Sequence, residues 1–225
     1  MNSSPVQRPT RSGRLIALLA AALSLVPAAR AQDITAECGH YRYEGQFGPF
    51  DYRKQRGALL KDVEQHHFRP EVEALIRGIT ISTPIGAEIS YTLVRFPNHH
   101  RALVSLVRLG EKTSSQQPEG TRWTVDCYFR RALRFASDDT VVRLLYAQFL
   151  GNQKRLDLAR FQLESAMRES GDNPLTQYNI GLVYFELGDH ERALAQAWTA
   201  MSLGMQRPEL QAMLMKAGKW RDPPR

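Results

Sequence analysis

Small residues recur in this chain at the same places of two consecutive stretches of equal length. The stretch 174–207 carries Gly181, Ala193 and Ala200 between larger apolar residues such as Tyr184. The stretch before it, 140–173, has alanine at each corresponding position, namely Ala147, Ala159 and Ala166. Small residues at such a period are typical of stacked helical hairpins, because two helices that approach closely leave no room for larger side chains. The chain is therefore predicted to be all-α.

The pattern resembles the tetratricopeptide repeat (TPR) family. The motif of that family is W-x2-L-G-x2-Y, followed by A-x3-F and a late Pro, and residues 140–207 match its small positions. The resemblance implies a TPR-like helical-hairpin solenoid with a non-helical N-terminal cap segment. Further stretches are similar to a small group of exported bacterial TPR proteins without an assigned biochemical function. These stretches are 47–52, 96–103, 110–113 with 117–118, and 217–220.

The same frame predicts how the chain is divided. Residues 1–31 form a signal peptide and 32–62 an aromatic and Gly-rich N-terminal segment. Residues 63–97 form a degenerate TPR-like hairpin whose first helix covers Pro70–Arg77. Residues 98–139 form a TPR-like hairpin of two helices, 99–109 and 121–135, with an inserted loop at 110–120. Residues 140–173 and 174–207 are one TPR each, and 208–225 are a capping helix and tail.

The first 31 residues have the composition of a secretory signal peptide. Three arginines precede an apolar run over 15–26, and Ala29 and Ala31 fit an A-x-A cleavage site. A run of about 12 residues is too short to span a membrane, which requires about 20. We therefore predict a periplasmic or secreted protein, cleaved after Ala31 and not inserted in the membrane after cleavage.

The net positive charge belongs largely to the N terminus. The chain has 30 Lys and Arg against 23 Asp and Glu, a net charge of +7. Four arginines lie within residues 1–31, which contain no acidic residue, so the predicted mature chain carries only +3. Its basic residues alternate with acidic ones and form no basic block. Nucleic acid is therefore not expected as a partner.

The chain contains two cysteines, Cys38 and Cys127. Export to an oxidising compartment permits a disulfide, and the even number favours one. Neither cysteine lies in a C-x-x-C or C-x-x-C-H motif, which argues against redox catalysis and haem attachment. We predict a structural Cys38–Cys127 disulfide, with two free thiols or an intermolecular disulfide as the alternatives.

Aromatic residues cluster between Cys38 and Gly57, where glycine and proline argue against a helix. One interpretation is that the rings pack over the first helices as a non-helical cap. The other is that they form a strap in the groove of the solenoid, which a partner displaces. The rings are Tyr41, Tyr43, Phe47, Phe50 and Tyr52.

No catalytic motif is recognisable. The sequence lacks G-x-S-x-G, a Gly-rich phosphate loop and H-E-x-x-H, so we predict neither enzyme activity nor a cofactor. The pairs His66-His67 and His99-His100 leave a metal-handling or enzymatic accessory role as the alternative. Adjacent residues of a helix point in different directions, so one pair rarely supplies two ligands to one ion. No metal is therefore predicted.

Proteins of the resembled family bind peptides or protein surfaces on a concave face, which the first helices of the repeats line. The leading hypothesis is a protein–protein interaction adaptor or scaffold in a cell-envelope complex, whose partner is another protein or a peptide. A purely structural subunit of an oligomer is a further possibility. The repeat frame predicts these groove residues: Asn98, Arg101, Ser105, Arg108, Leu144, Gln148, Tyr178, Leu182 and Phe185.

Overall fold

The described part of the chain is helical. A computed structural model describes Met1, residues 38–39 and residues 48–223, so the predicted signal peptide lies outside the described residues apart from Met1. The chain divides into two compact units, 1–32 and 33–225, and the second contains the helices listed below. No strand forms across 48–223, in agreement with the predicted all-α class. The helices are α1 (Ala58–His67), α2 (Pro70–Glu73), α3 (Ile85–Arg95), α4 (His100–Thr113), α5 (Val125–Phe135), α6 (Thr140–Asn152), α7 (Leu156–Ser170), α8 (Pro174–Glu186), α9 (His190–Ser202) and α10 (Glu209–Lys216).

Capping side chains determine where most of the longer helices begin. His99, Asp139 and Asn173 precede α4, α6 and α8, and each accepts a hydrogen bond from the backbone N–H three residues ahead. Thr124 and Asp189 do the same for α5 and α9. Such a bond satisfies one of the backbone donors that the first turn of a helix leaves unpaired. Asp139 and Asn173 directly precede the stretches 140–173 and 174–207, so the sequence period is also the period of helix starts.

Close packing of helix pairs explains the recurring small residues. Helix α6 packs along α7, α8 packs along α9, and α6 also contacts α8, while α10 contacts both α8 and α9. A Cβ atom at Gly181 in α8 would lie 2.6 Å from Leu210 Cδ2 and 3.1 Å from Gln196 Cβ, so only glycine fits without a shift. The small residues that are buried in these pairs are Ala147, Ala159, Ala166, Ala193 and Ala200.

The connection between α4 and α5 differs from the predicted loop 110–120. Helix α4 continues to Thr113 and α5 begins only at Val125, so the connection, which we call the insertion, covers 114–124. Ser114 ends α4 in the left-handed conformation with φ of 51° and turns the chain back. Ser115 N then donates to Gly110 O at 3.0 Å. A Cβ atom at Gly110 would lie 3.0 Å from Ser115 O, so glycine lets the insertion fold closely onto α4.

The predicted helix Pro70–Arg77 ends early, at Glu73. Leu75 adopts a left-handed φ of 60° and buries its side chain in the core. Its carbonyl oxygen accepts a hydrogen bond from Lys112 Nζ at 3.1 Å. The chain therefore leaves the helix in order to bury Leu75 against α4. The preceding helix, α1, spans Ala58–His67 and crosses the predicted boundary after residue 62.

A disulfide joins Cys38 to Cys127, as predicted, with an S–S distance of 2.04 Å. The Arg131 guanidinium donates to the carbonyl oxygens of Cys38 at 2.7 Å and Gly39 at 2.9 Å, and it lies 3.8 Å from the centre of the Trp123 ring. The segment at Cys38 is thus fixed to α5 by a covalent bond and two hydrogen bonds, while the cation–π contact joins α5 to Trp123 of the insertion. A disulfide is typical of an oxidising, non-cytoplasmic compartment. None of the helices described is both long and apolar enough to span a bilayer.

The segment 48–57 is non-helical and packs on the chain between α3 and α4. Phe50 N donates to Arg95 O at 2.8 Å, and the Tyr52 ring centre lies 4.2 Å from that of His99. These contacts agree with the cap interpretation for Phe50 and Tyr52. The other three rings of the predicted cluster, Tyr41, Tyr43 and Phe47, lie outside the described residues.

A buried polar cluster connects this segment to α4 and α6. Asn98 Nδ2 donates to Asp51 Oδ1 and to Asp139 Oδ2, both at 2.8 Å, and Asn98 Oδ1 accepts from Tyr52 N at 2.9 Å. Arg53 donates to Asp51, and hydrogen bonds from its guanidinium hold the pKa of Asp51 well below its usual range. The polar cluster comprises Asp51, Arg53, Asn98, His100 and Asp139.

Candidate protein-binding groove

The first helices of the successive hairpins, α4, α6 and α8, lie side by side. Helix α4 contacts α6, and α6 contacts α8. Their capping residues allow the three helices to be aligned, because each cap makes the same hydrogen bond. The ninth residue after the cap is Arg108 in α4, Gln148 in α6 and Leu182 in α8. Equivalent positions of adjacent helices therefore form one continuous surface.

Two cavities form a trough between α4 and α6. One has a volume of about 190 Å³ and opens beside Val104, Arg108 and Gln148. The other has a volume of about 330 Å³ and lies against the insertion, next to Ser115 and Gln116. The two cavities share four lining residues, which are Val107, Glu111, Phe149 and Asn152. We call this continuous surface the trough.

The trough has an apolar floor. Phe149 lies at its centre, with only 8% of its surface exposed, and its ring centre is 5.5 Å from that of Phe129. Val107 adds to the same floor, whereas Val104 at one end is 37% exposed. Removal of apolar surface from water favours association with another molecule. The trough therefore has the composition expected of a surface that another molecule covers.

Polar side chains line the rim of the trough. Asn152 Nδ2 donates to Glu111 Oε1 at 3.3 Å, and Gln148 Nε2 donates to Glu186 Oε2 at 2.8 Å. Gln148 and Asn152 are four residues apart on α6, so they lie on one face of the helix. Arg108 is the one cationic residue among those that line the two cavities. The rim thus combines one positive charge, one negative charge and a row of carboxamides.

Five of the nine predicted groove residues are at least partly accessible. Arg108 and Gln148 line the trough, and Leu182 and Phe185 continue the surface on α8 as half-buried side chains. Arg101 is exposed, but its guanidinium binds Glu73 and Glu64. The hydrogen bond from Arg101 also lowers the pKa of Glu73.

The other four predicted groove residues are buried and have internal roles. Asn98 belongs to the polar cluster, and Ser105 Oγ donates to Glu73 O at 3.1 Å. Tyr178 Oη donates to Glu209 Oε2 at 3.0 Å, and Leu144 packs in the hydrophobic core. These four side chains are therefore not on the accessible surface of the groove.

The predicted groove residues Arg108, Gln148 and Leu182 have the correct register, because each lies nine residues after the capping residue of its helix. Capping residues such as Asp139 and Asn173 mark this register, since Asp and Asn favour helix starts. Alignment on the caps also indicates Val104 and Glu111, which lie at the positions of Leu144 and Phe185. Asn152 follows from no equivalent position in the other helices. Phe149 carries no such signal, because apolar residues of a hairpin also face the core.

The two histidine pairs do not converge on a common site. His66 Nδ1 lies 3.2 Å from Asp62 Oδ1, whereas His67 Nδ1 lies 2.8 Å from Glu88 Oε2 and stacks on Tyr91. In the second pair, His99 contacts Glu64 and His100 contacts Asp139. Within the described ranges, no group of three or more His, Cys, Asp or Glu is arranged to hold a metal ion. Each imidazole therefore serves a separate local contact.

His99 is buried and neutral. Burial, together with the nearby positive charge of Arg101, lowers its pKa to about 3. The neutral ring accepts from Ala102 N at Nδ1, so Nε2 carries the proton and donates to Glu64 Oε1 at 3.1 Å. Asp139 has a lowered pKa although burial opposes its ionisation, because His100 and Asn98 donate hydrogen bonds to it.

No family model, curated protein or solved structure matches this chain. The residues of the chain itself, and above all the trough between α4 and α6, are therefore what indicates its function.

Proposed function

We propose that this chain is an exported TPR-type adaptor that holds a segment of another protein in the groove formed by α4, α6 and α8. It acts by binding and has no catalysis of its own. The observation that carries the proposal is the trough, because its floor is apolar while its rim offers hydrogen-bonding groups. Protein interfaces have this composition, with an apolar centre and a polar margin.

Three further features support the TPR part of the proposal. The helix starts recur with the period of the sequence, the small residues are buried between paired helices, and α10 packs against both helices of the last pair, α8 and α9. A solenoid requires such a terminal helix, because its last repeat otherwise exposes an apolar face. Export is supported by the disulfide and by the signal-like composition of residues 1–31. This compartment is compatible with a place in a cell-envelope complex, which is part of the proposal.

The test is quantitative capture from a cell-envelope extract with the mature, disulfide-bonded chain as bait. Val104→Asp places a charge on the trough, and Leu158→Asp is the matched control because Leu158 is an exposed aliphatic residue of α7 away from the trough. We expect proteins captured by the wild type to be retained by Leu158→Asp and lost with Val104→Asp. If both variants capture the same proteins as the wild type, binding in the groove is excluded.

A further inference from the structure

The insertion 114–124 creates a cavity that a short turn between two helices would not form. This cavity has a volume of about 330 Å³, at the lower end of the range of roughly 300–1,000 Å³ that is usual for ligand sites. Val107, Val125 and Phe149 form its apolar wall, and Ser115 and Gln116 of the insertion form part of its rim. Its size and lining match one large apolar side chain better than an extended polar ligand.

Charged groups beside the cavity restrict what accompanies that side chain. Arg108 lies about one turn before Glu111 on α4. Within residues 48–223 its guanidinium has neither an ion pair nor a hydrogen bond, although its positive charge helps to lower the pKa of Glu73. Glu111, in contrast, is bound by Asn152. The trough thus has a cation without a direct partner next to an apolar cavity, and the complementary group is a carboxylate.

The carboxamides of the rim suit a peptide backbone. Gln148 and Asn152 lie one turn apart on α6, and Gln116 and Gln153 lie on either side of the larger cavity. A carboxamide can donate and accept at once, which is what alternating backbone N–H and C=O groups require. A phosphate ligand, in contrast, would need several cations, and Arg108 is the one that the cavities offer.

We propose that the trough binds an extended segment of a partner protein in which a large apolar side chain is accompanied by a nearby Asp or Glu. The apolar side chain enters the cavity beside the insertion, and the carboxylate pairs with Arg108. Carboxamides of α6 bind the backbone between them, and Glu111 accepts from a backbone N–H of the segment. This inference rests on the proposed function and adds to it the chemistry of the segment that is recognised.

The test is selection of random dodecapeptides displayed on phage against the mature, disulfide-bonded chain. We expect the enriched peptides to share a large apolar residue with Asp or Glu within two or three positions of it. When the Arg108→Glu variant is the target of the selection, we expect the enriched peptides to carry Lys or Arg in place of the acidic residue. Arg134→Glu is the matched control, because Arg134 is an exposed arginine of α5 outside the trough, and it should select the same peptides as the wild type.

Direct binding of an enriched peptide then locates the site. We expect Arg108→Glu to weaken the binding by at least about fivefold, because it removes an exposed ion pair and places two carboxylates next to each other. Gln116→Trp, a change at an exposed residue that fills the cavity, should weaken it at least as much. If peptides are enriched and their binding is weakened by Leu182→Asp but not by Arg108→Glu or Gln116→Trp, the inference is wrong while binding in the groove stands. If no peptide is enriched, the proposed function fails and the inference fails with it.

Discussion

The two halves of the described chain are stabilised in different ways. Residues 140–216 consist of helices that pack closely through alanine and glycine, whereas residues 48–139 depend on bonds between distant side chains. Among the described residues, nine of the thirteen buried polar or charged ones precede residue 140, and every charged one is among the nine. In the second half the buried polar residues are Gln162, Ser165, Gln177 and Gln196.

The insertion explains why the first half needs such bonds. Helices α6 and α7 contact each other along their length, but α4 and α5, which the insertion separates, contact each other much less. The disulfide joins α5 to the segment at Cys38, and the polar cluster joins the segment 48–57 to the starts of α4 and α6, so both add constraints that helix packing does not supply there. The same insertion forms the larger cavity of the trough. The region that departs most from a regular repeat is thus also the one proposed to bind a partner.

Removal of the disulfide should have the largest effect and should separate the two halves. The double variant Cys38→Ser/Cys127→Ser loses a cross-link over 89 residues, and the free energy of unfolding of the first half should fall by about 2–5 kcal/mol. Hydrogen exchange should accelerate in α4 and α5 and stay unchanged in α8 and α9, because regions open separately when few contacts join them.

The control is a reductant, which should not change exchange in the double variant any further. Equal acceleration in α8 and α9 would show that the chain unfolds as one unit, and the contrast between the halves would then be wrong.

Asn98→Ala should have the next largest effect, because it opens the polar cluster. The substitution leaves Tyr52 N without an acceptor and removes one donor each from Asp51 and Asp139. One unsatisfied buried group costs about 1–3 kcal/mol, so we expect a loss of about 2–3 kcal/mol in urea denaturation. Asn152→Ala, at an exposed asparagine whose side chain binds Glu111, should change stability by less than about 0.5 kcal/mol. If Asn98→Ala and Asn152→Ala lost equal free energy of unfolding, the polar cluster would not be a special source of stability.

Sequence reasoning predicted the second half better than the first for a physical reason. The hairpins of 140–207 leave a local trace, because close helix contacts require small residues such as Ala166 and Gly181 at fixed spacing. The bonds of the first half join residues far apart in the chain, such as Asn98 with Asp51 and Arg131 with Cys38. No period marks such pairs, and only the disulfide was predictable, from the number of cysteines.

The candidate site was predictable only in part. Arg108 and Gln148 follow from the repeat, because they occupy equivalent positions after two capping residues. The larger cavity does not follow from it, since it depends on where Ser114 turns the chain and how the insertion folds back onto Gly110. An insertion is by definition a departure from the pattern, so the pattern contains no information about its path.

Lowering the pH should weaken the first half through His99. The folded pKa of His99 is about 3, below its ordinary value of 6.5, so the unfolded chain binds the proton first. Stability is therefore complete above pH 6.5 and falls as the pH decreases towards 3, with a slope of at most about 1.4 kcal/mol per pH unit. Urea denaturation between pH 6 and 4.5 measures this slope before Asp51, Asp139 and Glu73, whose pKa values are lowered, take up protons.

The variant His99→Gln should lose this slope, whatever its stability at neutral pH. His190→Gln, at a half-buried histidine of α9 in the second half, should retain it. If the slope persists without His99, another group is responsible, and the polar region around the cap of α4 is not what makes the first half sensitive to acid.

The smallest effect should come from Asn173→Ala, which gives the second half a counterpart of Asn98→Ala. Asn173 Oδ1 accepts from Thr176 N at 3.0 Å and caps α8, and within residues 48–223 its side chain has no bond to a distant residue. Loss of such a cap costs about 1 kcal/mol, and Asn173→Ser should restore most of it because serine caps equally well. Urea denaturation measures both variants, and Asp172→Ala, at the exposed neighbour, is the control. A loss of stability as large as that of Asn98→Ala would mean that the second half also depends on polar bonds. Removal of an exposed cap with one local partner should otherwise cost less than removal of an asparagine that joins three segments of the chain.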